Sequence, residues 1–370
     1  HDGSSVTDAR ADTAHSTMAT AARPRGRTMG HVPEHDAVDP DEWWKTWLRR
    51  TGIALLATLA VGTLLAWSWI SGLSDPAPRA IPVGVIAGDQ NAIGLLNADQ
   101  QNTELQVSRY ANAAALDKAL SKNEIDAILT TDQTGLTGGL NLTVAGAAGP
   151  GVSAAIVDSV NSVATATAIP LVIEDVYPTA LKDPDGRTPF YLMLIWVIGG
   201  LAAAVLLGVV LGTVPRDLDR LGMRIGALFA FSLVFGGIGA LFAVLTIWKH
   251  HLFGTWLVGA LVVFTAALIT SALQSWLGMW GIGLAVLLLV VIGVPGAGGM
   301  WGAQMSNSFF RGMHWWTPTG LSTDLTRGLA YFGRSANAWP ITGLALWSLV
   351  SIAALVGSTW VLGKRARSLI

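Results

Sequence analysis

The sequence predicts an α-helical polytopic membrane protein with six transmembrane helices and a small α/β extracytoplasmic domain between helices 1 and 2. Three observations predict it. Of 370 residues, 52% are hydrophobic and 13% charged, with a mean hydropathy of +0.50, against about 25% charged in an ordinary soluble domain. The charges are segregated, leaving long stretches with none. One segment, 73–188, instead alternates short strand-like and helix-like runs.

Residues 1–40 are rich in Ala, Asp, Arg, Thr and Pro and lack an apolar period, which predicts a disordered cytoplasmic tail. Asp39-Pro40-Asp41-Glu42 is a helix start. Trp43, Trp44 and Trp47 then mix with Lys45, Arg49 and Arg50, predicting an interfacial amphipathic helix over 41–50, with a plain solvated turn as the alternative. Thr51 to Ile70 carries no charge and is long enough to cross a bilayer. The expected first span is therefore 51–72, an uncleaved anchor rather than a signal peptide, because its apolar core is too long for the latter.

Five further apolar stretches, at 189–213, 225–247, 252–273, 277–295 and 341–362, contain no Asp, Glu, Lys, Arg or His. Basic clusters precede the first span (Lys45, Arg49, Arg50), separate the second and third (Arg216, Arg220, Arg224) and follow the sixth (Lys364, Arg365, Arg367). If all six stretches cross, these clusters share one side, and the positive-inside rule makes both termini cytoplasmic in a cell (plasma) membrane. Tryptophans 248, 256, 276, 280, 301, 339 and 360 fall near span ends, as interfacial belts require. Small residues recur every four positions: Gly200, Ala204, Gly208 and Gly212, then Gly222, Gly226 and Ala230, then Ser232, Gly236 and Ala240. Such rows predict close packing of these two helices against each other or a second subunit, with chance spacing in a Gly-rich chain as the alternative.

In 73–188, strand-like runs at 81–87, 104–110, 125–130, 140–144 and 171–176 alternate with helical spacing at 89–98, 112–122 and 150–168. Thirteen acidic against six basic residues give it a net charge of −7. Val294 to Pro340 opens on a glycine-rich break (Gly296, Gly298, Gly299) and is too apolar to lie free in water. It predicts an amphipathic outer segment, 297–340, in the interface or dipping into the bilayer, with Asp324 and Arg327 paired on one helix.

Absences narrow the chemistry. No cysteine is present, so thiolate nucleophiles and thiolate metal sites are excluded. Spans without ionisable residues argue against a proton-driven antiporter and, without a polar ring, against an ion channel. No Walker A pattern occurs. The domain 73–188 holds no histidine, which excludes a Ser-His-Asp hydrolase there. His250-His251 reads as polar loop residues, with a metal pair as the alternative. Asp183-Pro184-Asp185-Gly186 reads as a turn rather than a calcium loop. The expectation is no enzyme, no cofactor, no metal and no nucleic-acid partner.

Ile81-Pro82-Val83-Gly84-Val85-Ile86 with Asp89, the stretch Ala115 to Thr130, Asp175-Val176-Tyr177-Pro178 leading through Asp183–Gly186 to Phe190-Tyr191-Leu192, and Pro318 with Asp324 and Arg327 together resemble the type-2 permeases of ABC exporters. Within these the chain is most similar to the YhgE/Pip-like and Sng1-like membrane proteins. The resemblance spans about 40–370. It implies a permease subunit working as a homodimer in the lipid bilayer with a separate cytoplasmic ATPase. Trp44, Arg49, Asp217, Asp219, Arg220 and Arg224 are then candidate ATPase contacts, although Pro215–Arg224 reads equally well as a positive-inside signal. Phe310, Trp315, Trp316, Pro318, Asp324 and Arg327 are the candidate outer gate. The alternative is a membrane-anchored envelope binding or scaffold protein acting through 73–188 without transport.

Overall fold

The computed structural model describes residues 40–73, 76–98, 104–132, 139–248, 251–299, 301–333 and 338–367. The tail 1–39, and His250 of the histidine pair, lie outside the described residues. The chain divides into two units, 1–55 and 56–370.

Among the described residues the fold is mostly helical, with six helices long and apolar enough to cross a membrane and one five-stranded sheet. The first helix, α1, runs unbroken from Pro40 to Leu73, where the sequence predicted a surface helix and then a separate span. No Gly or Pro falls at the expected joint between Arg50 and Thr51, so nothing there interrupts the backbone hydrogen bonds. Within the unit 1–55, the side chains from Trp44 to Arg50 are exposed.

The domain after α1 matches the alternation of its sequence. β1 (Ile81–Ile86), α2 (Gln90–Ala98), β2 (Leu105–Tyr110), α3 (Ala113–Ser121), β3 (Ala127–Asp132), β4 (Gly139–Val144), α4 (Pro150–Thr167) and β5 (Leu171–Asp175) follow in order. The sheet order is β2-β1-β3-β4-β5, parallel except for the β3–β4 pair. Ile81, Val83 and Val85 of β1 point to one face, where α2 and α4 bury Ile93, Ile156 and Val160 over them. Leu116 and Leu120 of α3 cover Ile128 on the other face. Period-two side chains thus sort into two buried faces, as a sheet between helices requires.

The remaining spans are α5 (Thr188–Leu211), α6 (Leu218–Ala243, continued by a π-helical turn, Val244–Trp248), α7 (Leu252–Leu277), α8 (Met279–Val286) and, last in the chain, α12 (Trp339–Arg367). The α8 span continues through π-helical Leu287–Ile292 into the short α9 (Gly293–Gly296). Between it and α12 come α10 (Ser308–His314), α11 (Pro318–Arg327) and a π-helical turn, Gly328–Phe332. The glycine-rich break is a real turn: Gly298 and Gly299 have φ of +79° and +58°, which only glycine adopts without strain.

The most buried span is α7, and the small-residue rows explain why. A Cβ on Gly200 would lie 2.4 Å from the Val263 carbonyl oxygen, and one on Gly236 would lie 2.4 Å from the Ala260 nitrogen. Both α5 and α6 therefore press their backbones on α7 more than on each other. The row Gly222, Gly226 and Ala230 points elsewhere, and Gly222 and Gly226 have nothing within 4 Å of an added Cβ.

Substituting Gly200→Ala or Gly236→Ala is expected to cost about 1–3 kcal/mol through overpacking and to lower the thermal unfolding midpoint in detergent. Gly226→Ala leaves the midpoint unchanged or raises it, since alanine is the better helix former.

Candidate functional site

Proline 295 starts the site. It has no N–H, so the carbonyl of Val291 one turn earlier loses its helical partner, and the π-helical stretch before it loosens the same ladder. Side chains from three other elements take up the carbonyls around the break. Ser68 of α1 donates to Val291, Thr319 of α11 donates to Gly293 (2.6 Å), and His314 of α10 reaches the Gly296 carbonyl through Nδ1 (3.0 Å). In an apolar surrounding such carbonyls need a donor.

His314 is 3% exposed and its other nitrogen, Nε2, lies 2.8 Å from Asp324 Oδ2. A carbonyl only accepts, so Nδ1 carries a hydrogen, and the second proton is shared between Nε2 and the carboxylate. Burial disfavours the imidazolium, but the Asp324 charge and both hydrogen bonds outweigh it and raise the His314 pKa.

The Asp324–Arg327 pair expected from sequence does not form. Asp324 is engaged by His314, and among the described residues no ion pair within 4 Å involves Arg327. Arg327 is 3% exposed, and its Nε and Nη2 have no hydrogen-bond partner among protein atoms. Burial lowers its pKa, while Asp324, Tyr331, Asp126 and Asp183 favour its charge.

Asp126 comes from the α/β domain, 178 residues before the side chain that binds it. Gln304 Nε2 donates to its Oδ2 at 3.0 Å. The carboxyl is 2% exposed, and burial raises its pKa to about 7, against the opposing pull of Arg327 and with a further push from Asp324. On the far side of Arg327, Tyr331 donates to Asp183 Oδ2 and accepts from Trp248 Nε1, both at 3.3 Å. Asp183 also accepts the backbone N–H groups of Arg187 and Thr188 at 2.9 Å. The Asp-Pro-Asp-Gly turn thus caps the start of α5 with the same carboxylate that closes the cluster. Among the described residues no three His, Asp or Glu groups are placed to hold a metal.

The six outer-gate candidates separate into three places. Asp324 and Arg327 belong to the charged cluster. Phe310 is buried in α10, with Pro295, where the backbone of Gly72 in α1 comes close. Trp315 and Trp316 line an apolar groove of about 250 Å³ with Leu321, Trp339, Leu346 and Trp347, while Pro318 starts α11. Trp339 and Trp347 each donate their indole N–H to the backbone carbonyls of Trp315 and Trp316 (3.0 and 2.9 Å), which leaves the ring faces to the groove.

A larger groove, about 430 Å³, opens between α5 and α6. Leu192, Ile195, Phe235, Ile238 and Phe242 form its walls. Its hydroxyls come from Thr188 and Tyr191 at the start of α5 and Thr246 at the end of α6. They gather at the end of the helices next to the α/β domain, so the groove is apolar along its length and polar at one end.

At the opposite end of α5, Asp217 caps α6 by accepting the Arg220 N–H at 2.8 Å and pairs with Arg220 Nε at 3.5 Å. Asp219 and Arg220 are exposed. Arg224 is not: 4% exposed, it donates to the carbonyls of Thr213 (2.9 Å) and Gly212 at the end of α5. The carbonyls left over where α5 ends claim the guanidinium first. Trp44 and Arg49 are exposed on α1 in the unit 1–55.

Asp324→Asn is expected to destabilise the protein by about 3 kcal/mol, because it leaves His314 and Arg327 buried without the nearest carboxylate. Thermal or denaturant unfolding in detergent reads the loss. No family model, no curated protein and no solved structure matches the chain.

Proposed function

We propose that the chain is the membrane permease subunit of an ABC-type exporter that moves an amphiphilic or lipid-like compound and is energised by a separate ATPase. The observation that carries this reading is the groove between α5 and α6, apolar along its walls and lined with hydroxyls only at the end beside the α/β domain. A single-tailed amphiphile matches that gradient: its chain lies along Ile195, Ile238 and Phe242, and its head meets Tyr191 and Thr188. The spans hold nothing that hydrolyses a nucleotide, so the energy comes from outside the chain. The exposed Asp219 and Arg220 offer a small charged surface for the ATPase at the far end of α5.

In this reading both termini and the loop Gly212–Asp217 are cytoplasmic, and the α/β domain is extracytoplasmic. Two copies act together. The alternative, an envelope scaffold, draws on one feature: β5 is an edge strand whose Val172 and Ile173 are 62% and 45% exposed, a surface on which another chain's strand can pair.

Reporter fusions are expected to place Arg220 and Asp126 in different compartments. In nanodiscs, a fluorescent lysolipid is expected to bind the parent, and Ile238→Trp, which fills the groove, to weaken it by about tenfold. A co-purifying ATPase should lose stimulated turnover with Arg220→Ala. Lysolipid binding unaffected by Ile238→Trp, together with no ATPase in mild-detergent pull-downs, refutes the exporter. Capture of a partner by the α/β domain of the intact chain, abolished by Val172→Pro, then favours the scaffold.

A further inference from the structure

We infer that Asp126, Gln304 and Arg327 form a proton-operated latch that holds the α/β domain on the loop between α9 and α10. The inference stands apart from the exporter reading and needs no transported substrate.

The geometry supplies the latch. The segment leading into β1 lies along the loop: Ala77 N–H donates to Met305 and Arg79 N–H to Gln304, both at 3.1 Å. Met305 side chain enters the core under α4, and Phe332 enters the core on the α3 face. Gly149 and Gly151 at the start of α4 lie against Trp301, where even a Cβ would come within 2.7 and 3.2 Å. Within this mostly apolar contact, two side-chain hydrogen bonds with an ionisable group join the domain to the loop, Arg79 to the Met305 carbonyl and Gln304 to Asp126, and of these Asp126 is the carboxyl.

The groups around Asp126 decide the sign. From α11, Arg327 favours its charge and Asp324 opposes it. His314 is occupied by Asp324, and Tyr331 and Asp183 by each other. Arg79 turns its guanidinium to the Ala77 and Met305 carbonyls, and Arg311 donates to the Arg79 carbonyl. Glu124, two residues away, is exposed and paired with Lys122. Among the described residues, the cation facing Asp126, Arg327, thus lies outside ion-pair distance, so the docked carboxyl keeps a proton that an exposed one would lose. Docking and proton binding are linked. The docked form, with its pKa raised to about 7, gains over the released form as pH falls from there toward the ordinary carboxylate value. That gain is lost as pH rises through the docked value.

The test is hydrogen exchange on the full chain in nanodiscs from about pH 5 to about pH 8, corrected for intrinsic rates. Amides of 77–81 and 302–306 should gain protection by up to about tenfold per pH unit below neutrality, the limit for one proton. Asp126→Asn copies the protonated form and should show high protection with no pH response. The same response in Asp126→Asn and the parent overturns the latch. His314→Gln separates the neighbouring pair: a retained response supports Asp126 as the titrating group, and a lost one overturns it. Infrared spectra of the parent give a reading that needs no variant. A protonated carboxyl band that fades around neutral pH supports the proposal, and its absence refutes it.

Discussion

The structure depends on one constraint: a carbonyl freed inside an apolar helix bundle must find a donor. The fifth span ends just after Pro295, and three elements far apart in sequence converge on the carbonyls of its last turns, Ser68 from α1, His314 from α10 and Thr319 from α11. Once His314 is drawn to Gly296, its second nitrogen fixes Asp324. Asp324 and Arg327 lie one helical turn apart, so fixing α11 also fixes where the guanidinium is buried. The charged cluster is thus downstream of a helix end, where the Gly296 carbonyl lies beyond the reach of its own helix.

A second organising contact is the approach of α5 and α6 to α7. Gly200 and Gly236 let two backbones reach the same helix, and the two helices splay where they do not follow it. The groove occupies that splay. Packing and candidate site therefore have a common origin, since the rows that bring both helices onto α7 leave the space between them to be filled by something else.

The strands and helices of the α/β domain could be read from the sequence because strands covered on both faces are short apolar runs, such as Ile81–Ile86, set between stretches of helical spacing. The spans were legible because hydrocarbon tolerates no charge. What failed has identifiable causes. The division of α1 followed the change from charged to uncharged residues, but that change breaks no backbone hydrogen bond, and the helix runs on through Thr51 and Gly52. The outer segment read as amphipathic from its apolar runs and from Asp324 and Arg327, yet α11 also carries Thr319, Ser322, Thr323 and Thr326. In the fold, Ser322, Thr323 and Thr326 bond to carbonyls four residues back at 2.5–3.0 Å, so α11 is buried almost all round. A hydroxyl satisfied by its own helix behaves as an apolar group. Of the buried cluster, Asp324 and Arg327 stood out by their spacing, but Asp126, Asp183 and Gln304 are too far from them in sequence for a local pattern to join them.

The separation of Asp126 from Gln304 has a consequence for biosynthesis. All five strands are contiguous between Ile81 and Asp175, so the sheet can close before any later span exists. Its aspartate then waits, uncovered, while the 129 residues from the end of β5 to Gln304 emerge, roughly six to twenty-six seconds at ordinary rates of translation. During that interval the acidic group serves as a solubilising charge on a half-made protein, and only arrival of the last helices converts it into a buried one.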